Sequence, residues 1–345
     1  MKVGVIGGTG YTGRELIRIL RRHPRIQNIS VYGRNPGKCM TEEFPELRGL
    51  YDGVVLPLDP EKIVKDVAVL FMALPHQVAM EMSKPFQGKV LLIDLSADYR
   101  LKNAREYEKW YGIPHKDKEA LVQYVYGMPE LFRKEIKNAR CIASPGCYPT
   151  SIVLAVAPLL EKKLLKGNSI IADSKSGHSG AGKKLSEMLH AGSVSENLQA
   201  YKVSTHQHTG EVEQTLTHMN AGKKVYLTFT PQVLPFDRGI LSCVYVDLVK
   251  PLSQGDVTDL YANHYKKEPF IRLYNNKAAG ANPVLPTPKL VAHTNFCDIA
   301  PIVDTRLNRV TILSCIDNLV KGAGGQAVQA MNIALGFNES EGLNV

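Results

Sequence analysis

Short apolar runs alternate with helical patterning along the first half of the chain. Residues 3–6 read as a strand that runs straight into Gly7-Gly8-Thr9-Gly10-Tyr11-Thr12-Gly13. Leu16, Ile19 and Leu20 then recur at helical spacing, and Pro24 marks the end. Residues 29–32, 68–74 and 90–95 are further continuous apolar runs, the pattern of strands buried on both faces of a parallel sheet. Functional loops are expected at their carboxyl ends, in Gly33-Arg34-Asn35, Pro75-His76 and Ser96-Ala97-Asp98. In the second half an apolar helical run spans residues 152–160, and strand signals follow at 170–172, 225–230, 241–248 and 310–316. Lys321-Gly322-Ala323-Gly324-Gly325-Gln326 opens a last helix with Ala327, Val328, Met331 and Leu335 apolar, a second loop-to-helix turn suited to a cofactor. The pattern is α/β throughout.

A single core stops growing at about 250–300 residues, so 345 residues predict two domains. Hydrophobic content of 44% and charged content of 22% are those of a globular chain. The first apolar run is too short for a signal peptide, and no stretch approaches the ~20 apolar residues of a membrane span. Six scattered cysteines without a C-x-x-C pair speak against a disulfide framework or zinc ribbon, so a reducing cytoplasm is expected. Lys plus Arg exceed Asp plus Glu by 42 − 33 = 9. These basic residues are dispersed, as at Arg21-Arg22, Lys162-Lys163, Lys183-Lys184 and Lys223-Lys224, which suits small phosphorylated or carboxylated molecules better than nucleic acid.

Gly7, Gly10 and Gly13 fall between a strand and a helix, where glycines let the backbone approach a pyrophosphate held by helix N-terminal amides. The spacing is G-x-x-G-x-x-G rather than the commoner G-x-G-x-x-G, and a plain tight turn is the alternative. After the second strand, where an NAD-specific fold places an acid against the ribose hydroxyl, stands Arg34. Arginine suits a 2′-phosphate and so NADP; an exposed loop arginine is the bland alternative.

Ser144-Pro145-Gly146-Cys147-Tyr148-Pro149-Thr150 leads directly into the apolar helical run, with Pro149 suited to the first helical position. Cys147 is thereby placed at a helix N-terminus, where the macrodipole favours a thiolate and amides could hold an oxyanion. The other five cysteines, 39, 141, 243, 297 and 315, read as small buried hydrophobes. A base for the thiol is sought in Thr205-His206-Gln207-His208-Thr209-Gly210-Glu211. If this segment is extended, His206 and His208 point to one side; one could serve Cys147 while the other, or Glu211, orients it or contacts substrate. His206, following an expected strand at 201–205, is favoured as acid–base, and His208, leading into a flexible Thr209-Gly210 turn, as substrate contact. Zinc held by Cys147 and the two histidines lacks a fourth ligand at metal-site spacing. Residues 173–183, with three glycines, serines and a lysine, could form an anion-binding backbone nest or a flexible hairpin.

Taken together, residues 7–13, 94–100 (Asp-Leu-Ser-Ala-Asp-Tyr-Arg), 145–150, 176–182, His206-Gln207-His208 and 321–332 resemble the N-acetyl-γ-glutamyl-phosphate reductases of arginine biosynthesis. These are relatives of aspartate-semialdehyde dehydrogenase in the glyceraldehyde-3-phosphate-dehydrogenase-like group, and the match extends over nearly the whole chain. Two departures stand out: Ala143-Ser144 where the family usually has Gly-Asn, and His208-Thr209-Gly210-Glu211 where it usually has His-Thr-Pro-Glu. Both keep the reactive side chains.

The resemblance implies a Rossmann-type NADP-binding domain from residues 1–145 plus 319–345. It also implies a glyceraldehyde-3-phosphate-dehydrogenase-like α/β domain, residues 146–318, for substrate binding and oligomerisation as a homodimer or homotetramer. Cys147 would attack an acyl phosphate, release phosphate and form a thioester that NADPH reduces to the semialdehyde, with His206, His208 and Glu211 in support. Arg100, Ser144 and His208 would contact substrate. Gly7, Thr9, Gly10, Tyr11, Thr12, Gly13, Arg34, Ser176, Gly177, Gly180 and Asn318 would contact NADP(H); no metal is expected. Two rival readings are the sister reductase of lysine biosynthesis, acting on an aminoadipyl phosphate carried by a small acidic protein, and a non-catalytic NADP sensor. A sensor has no need of a helix-capped Cys147 together with an H-x-H.

Overall fold

The computed structural model of the chain describes residues 1–183, 195–274 and 284–343; Lys184 of the expected basic pairs lies outside them. Two compact units divide it, Met1–Gly146 with Ala323–Val345, and Cys147–Gly322. Residues 319–322, expected with the nucleotide domain, thus belong to the second unit.

The first unit is built on seven strands, β1 (Lys2–Ile6), β2 (Asn28–Tyr32), β3 (Val55–Leu56), β4 (Val69–Met72), β5 (Leu91–Asp94), β6 (Tyr124–Tyr126) and β7 (Cys141–Ala143). All pair in parallel in the order β3-β2-β1-β4-β5-β7-β6. The expected strands at 68–74 and 90–95 shorten at both ends to β4 and β5, because their flanking apolar residues turn into loops. Helices α1 (Tyr11–Arg21), α2 (Pro60–Asp66), α3 (Ala104–Tyr111) and α4 (Pro129–Lys137) connect them. Each later start has a local cause: Asp59 and Asn103 cap α2 and α3 through their carboxylate and amide oxygens, and proline occupies the first position of α2 and α4. The strand order reverses between β1 and β4, and a doubly wound sheet opens its ligand crevice at the carboxyl ends of such a pair.

The second unit holds a mixed sheet, β8 (Ser169–Gly177), β9 (Gln199–Ala200), β10 (Tyr226–Leu234), β11 (Ile240–Asp247), β12 (Ile271–Leu273), β13 (Cys297–Asp304) and β14 (Arg309–Ile316), ordered β12-β13-β14-β11-β8-β10-β9. Along β10 and β11 burial alternates residue by residue, so one face is packed and the other half-exposed. Helices α5 (Cys147–Glu161), α6 (His208–Met219) and α7 (Gln254–Tyr265) belong to this unit. From Tyr148 to Leu160 every residue of α5 is buried. Such a helix gains little orientation from amphipathicity; a chain of hydroxyls, Ser151 to Ser242 to Ser174 at 2.7 Å each, ties it to β11 and β8 instead. Pro158 inside α5 removes the amide that would bond Leu154 O, and Tyr265 of α7 donates its hydroxyl to that carbonyl at 2.5 Å. A final helix, α8 (Gly325–Ala334), returns to the first unit, where it packs on α1 and α4.

Candidate active site

In the first unit the glycine loop carries β1 into α1. Gly7 has φ +86°, a left-handed conformation, and a Cβ there would run into Ala73 O; a Cβ at Gly13 would strike Gly7 O. No side chain caps α1, and the first intrahelical bond is Arg14 N to Gly10 O at 2.8 Å. The amides of Tyr11, Thr12 and Gly13 therefore precede the helical ladder, with Thr9 and Gly10 in the turn before them, in the arrangement that seats a pyrophosphate. Arg34 is exposed just beyond the carboxyl end of β2.

Arg100 is buried. Its guanidinium donates to Ser144 O at 2.7 Å and Leu95 O at 3.0 Å, clamping the loops after β7 and β5. The buried Asp98 accepts from Gln77 N, Met80 N and the Tyr107 hydroxyl. Ser144 is joined to Arg100 in this way, and its own Oγ is buried without a hydrogen-bond partner. Beneath them Asp94 is fully enclosed; desolvation first, then the nearby Asp98 charge, push its carboxyl up to about 7, against hydrogen bonds from Ser96.

In the second unit Cys147 is the first residue of α5. Pro149 is therefore third in the helix and not first; the ring is tolerated because the first four amides of a helix have no partner to lose. The segment expected to be extended is not: 202–205 form turns, and His208-Thr209-Gly210 are the first turn of α6, buried and regular. The histidines meet for another reason. His208 N donates to His206 Nδ1 at 3.1 Å, folding the ring of His206 back over the helix start, and the two rings lie 4.7 Å apart. Tyr148, the neighbour of Cys147, meets His206 at 5.6 Å and His208 at 5.9 Å edge to face. The N-terminal ends of α5 and α6 thus converge on Tyr148. Glu211, on the same face of α6 one turn beyond His208, is 1% exposed.

The sequence assigns neither Tyr148 nor Tyr201 a functional role, yet both line the cluster. Their hydroxyls bond at 3.1 Å, Tyr148 also reaches Gln232 O, and Tyr201 packs on His206 at 5.6 Å. Position next to Cys147 was the one signal available for Tyr148; nothing in the sequence pointed to Tyr201.

Ser176, Gly177, Gly180 and Asn318 are brought together. Asn318 donates to Ser179 Oγ at 3.1 Å, and its amide nitrogen would lie 3.5 Å from a Cβ at Gly180. At 177–179 the amides are not open to an anion as a nest would have them: those of Gly177, His178 and Ser179 bond Gly239 O, Phe236 O and Asp237 O. The segment continues β8 and then makes a tight helical turn, His178–Ala181. The glycine-rich run before α8 is likewise no open loop: Val320–Gly324 is a π-helical turn, with Lys321 wholly buried and its ammonium 5.6 Å from the Phe270 ring. A Cβ at Gly322 would lie 2.7 Å from Cys147 Cβ, so this turn backs the candidate nucleophile.

A family model described as "Semialdehyde dehydrogenase, NAD binding domain" matches residues 2–139, and one described as "Semialdehyde dehydrogenase, dimerisation domain" matches residues 147–318. Among curated relatives, the N-acetyl-gamma-glutamyl-phosphate reductase of Pelotomaculum thermopropionicum is 47% identical, with 99% of this chain and 97% of that protein covered. That of Pelobacter propionicus is 46% identical over 100% and 98%. Among solved structures, aspartate semialdehyde dehydrogenase II from Vibrio cholerae superposes with a TM-score of 0.71 at 16% identity, covering 97% of this chain and 98% of that one. Aspartate semialdehyde dehydrogenase with NADP from Candida albicans gives 0.67 at 16%, covering 96% and 97%. With one relationship running through both units at this identity, the chain belongs to the N-acetyl-gamma-glutamyl-phosphate reductase family of the semialdehyde dehydrogenases.

Proposed function

We propose that the chain reduces N-acetyl-gamma-glutamyl phosphate to N-acetylglutamate 5-semialdehyde with release of phosphate, through a thioester on Cys147. The observation that carries this is Cys147 at the start of a buried helix, with His206 and His208 flanking the adjacent Tyr148. Helix N-termini favour anions, first the thiolate and then the oxyanion of acyl transfer. One of the two histidines serves the reacting centre, with Glu211 and the other orienting it or touching substrate. Arg100 and Ser144 are the proposed substrate contacts in the first unit.

NADPH, when bound, supplies the hydride. The residues fit it: a loop too tight for any Cβ at Gly7 or Gly13, free amides at Tyr11–Gly13, and Arg34 where an acid would mark NAD. Ser176, Gly177, Gly180 and Asn318 are the proposed contacts from the second unit. The segment matching a dimerisation domain supports a homodimer or homotetramer. Among the described residues no helix is long and apolar enough to cross a membrane, and all six cysteines are free, which supports a cytoplasmic location.

The test is phosphate-dependent reduction of NADP with N-acetylglutamate semialdehyde and, separately, with the aminoadipate analogue on its carrier. Turnover of the first alone is expected; turnover of the second alone would transfer the chain to the lysine-type reaction.

A further inference from the structure

The loop after β4 puts a glutamine where the backbone suits glycine. Val78 N bonds Pro75 O at 3.3 Å, and Gln77, third in the turn so closed, has φ +75°. A side chain in this left-handed region is disfavoured about five- to thirtyfold, which is why glycine or asparagine ordinarily fills such a place. Gln77 is held there from outside its turn. Its N–H donates to Asp98 Oδ1 at 2.8 Å, and Met80 N–H, in the first turn of the short helix Ala79–Met82, donates to Asp98 Oδ2 at 3.0 Å.

Asp98 is fully buried and is itself fixed by three further groups. Tyr107 of α3 donates its hydroxyl to Oδ1 at 2.7 Å, Asp98 N donates to Ser96 Oγ at 3.1 Å, and Asp98 O accepts from His115 Nε2 at 2.7 Å. The carboxylate thus joins the loop after β5 to the loop after β4. The latter borders the glycine loop: Ala73 N bonds Ile6 O at 2.8 Å, and a Cβ at Gly7 would lie 2.2 Å from Ala73 O. Strand order reverses between β1 and β4, so residues 73–80 form a wall of the crevice in which a doubly wound sheet seats its ligand.

We propose that Asp98 is a positioning residue for the cofactor: it holds Gln77 in its left-handed turn and thereby keeps this wall of the crevice in the shape that NADP(H) binds. This rests on the reading of Gly7–Gly13 as the pyrophosphate loop. The role needs a carboxylate. Both oxygens of Asp98 accept, whereas an asparagine of the same shape has one acceptor and one donor group. Its NH2 would face either the Met80 N–H or the Gln77 N–H and the Tyr107 hydroxyl. Leaving a buried donor without an acceptor costs more than the bond itself was worth, and the turn at Gln77 gains most by relaxing to negative φ. All these groups belong to the first unit, so the effect falls on cofactor binding and spares the rate of the bound complex.

Titration of the whole chain with NADPH, followed by the cofactor's fluorescence, reads the effect. Asp98→Asn should raise Kd about tenfold, since a chain whose competent loop is populated to about a tenth binds about ten times more weakly. The same variant should keep kcat at saturating NADPH within about twofold. Adding Gln77→Gly to Asp98→Asn should recover about fivefold in Kd, because glycine takes positive φ freely; adding Gln77→Ala, which keeps a Cβ, should recover nothing. Equal recovery by Gly and Ala, or recovery by neither, would overturn the proposal. Should Asp98→Asn fail to fold, amide exchange in the unaltered chain decides: the N–H groups of Gln77, an exposed residue, and Met80 should exchange slowly before any NADP is added. Fast exchange at both would overturn the proposal. An unaltered chain that binds no NADPH would end the pyrophosphate-loop reading and the proposal with it, whereas normal binding by the unaltered chain and an unchanged Kd in Asp98→Asn would end the proposal alone.

Discussion

At the scale of single residues the proposed chemistry rests on Cys147, and Cys147→Ala should abolish turnover while NADP still binds; more than a trace of remaining activity would exclude a thioester. Cys243, on β11 and raised in pKa by burial, should be replaceable by Ala with almost no effect in the same assay. Gly322 is a requirement of close approach. Its added Cβ would stand 2.7 Å from Cys147 Cβ and 3.1 Å from Cys147 Cα, neither a flexible chain end. Gly322→Ala should cost about 1–3 kcal/mol by overpacking and lower kcat more than it raises KM, measured by denaturant titration and steady-state kinetics. Arg34, free of an acidic neighbour in sequence, should set cofactor choice: NADP preferred to NAD in kcat/KM, with the preference diminished in Arg34→Ala. Equal use of both cofactors by the unaltered enzyme would contradict this.

At the scale of elements, the carboxyl end of β5 stores an unfavourable charge. Asp94 is raised from 3.8 to about 7 by burial and by Asp98. Its folded-state value exceeds the unfolded one, so the folded chain binds the extra proton. The stability it contributes is fully present below pH 3.8, is lost as pH rises toward 7, and stays lost above. Asp94→Asn should therefore flatten the fall in urea midpoint between pH 5 and 8, and an identical pH slope in the variant would show that Asp94 is not its source. The helices and strands themselves were largely legible. Continuous apolar runs marked β2, β4 and β5 because both faces of a parallel sheet are dry, and Gly7–Gly13 marked the β1–α1 turn because few other sequences fit it. The expected strand at 201–205 and the extended conformation considered for 205–211 are not adopted, since two histidines one residue apart fit an alternating pattern whether or not the backbone extends. A helix start with an imidazole bonded to its first amide leaves no periodic trace.

At the scale of the whole molecule, the sheet of the second unit keeps one half-exposed face, where Ile171 lies between Thr228 and Tyr245 and is 43% exposed. With a dimerisation-domain match over residues 147–318, light scattering should give a multiple of the 38.1 kDa chain, and Ile171→Glu should shift it toward monomer. A monomeric wild type would refute that expectation. The amino-acid order by itself determined the α/β class and the glycine loop between β1 and α1, and it singled out Arg34 and Cys147 as candidates. Each of these depends on residues adjacent in the chain, so local propensity and spacing carry it. Tertiary structure alone decided that Tyr148 and Tyr201 join the two histidines, that a π-helical glycine backs Cys147, and that Arg100 clamps Ser144 O and Leu95 O. Tyr148 and Tyr201, Gly322 and Cys147, and Arg100 and Ser144 are tens of residues or more apart, and only the packing of separate elements, which no local pattern encodes, sets them side by side.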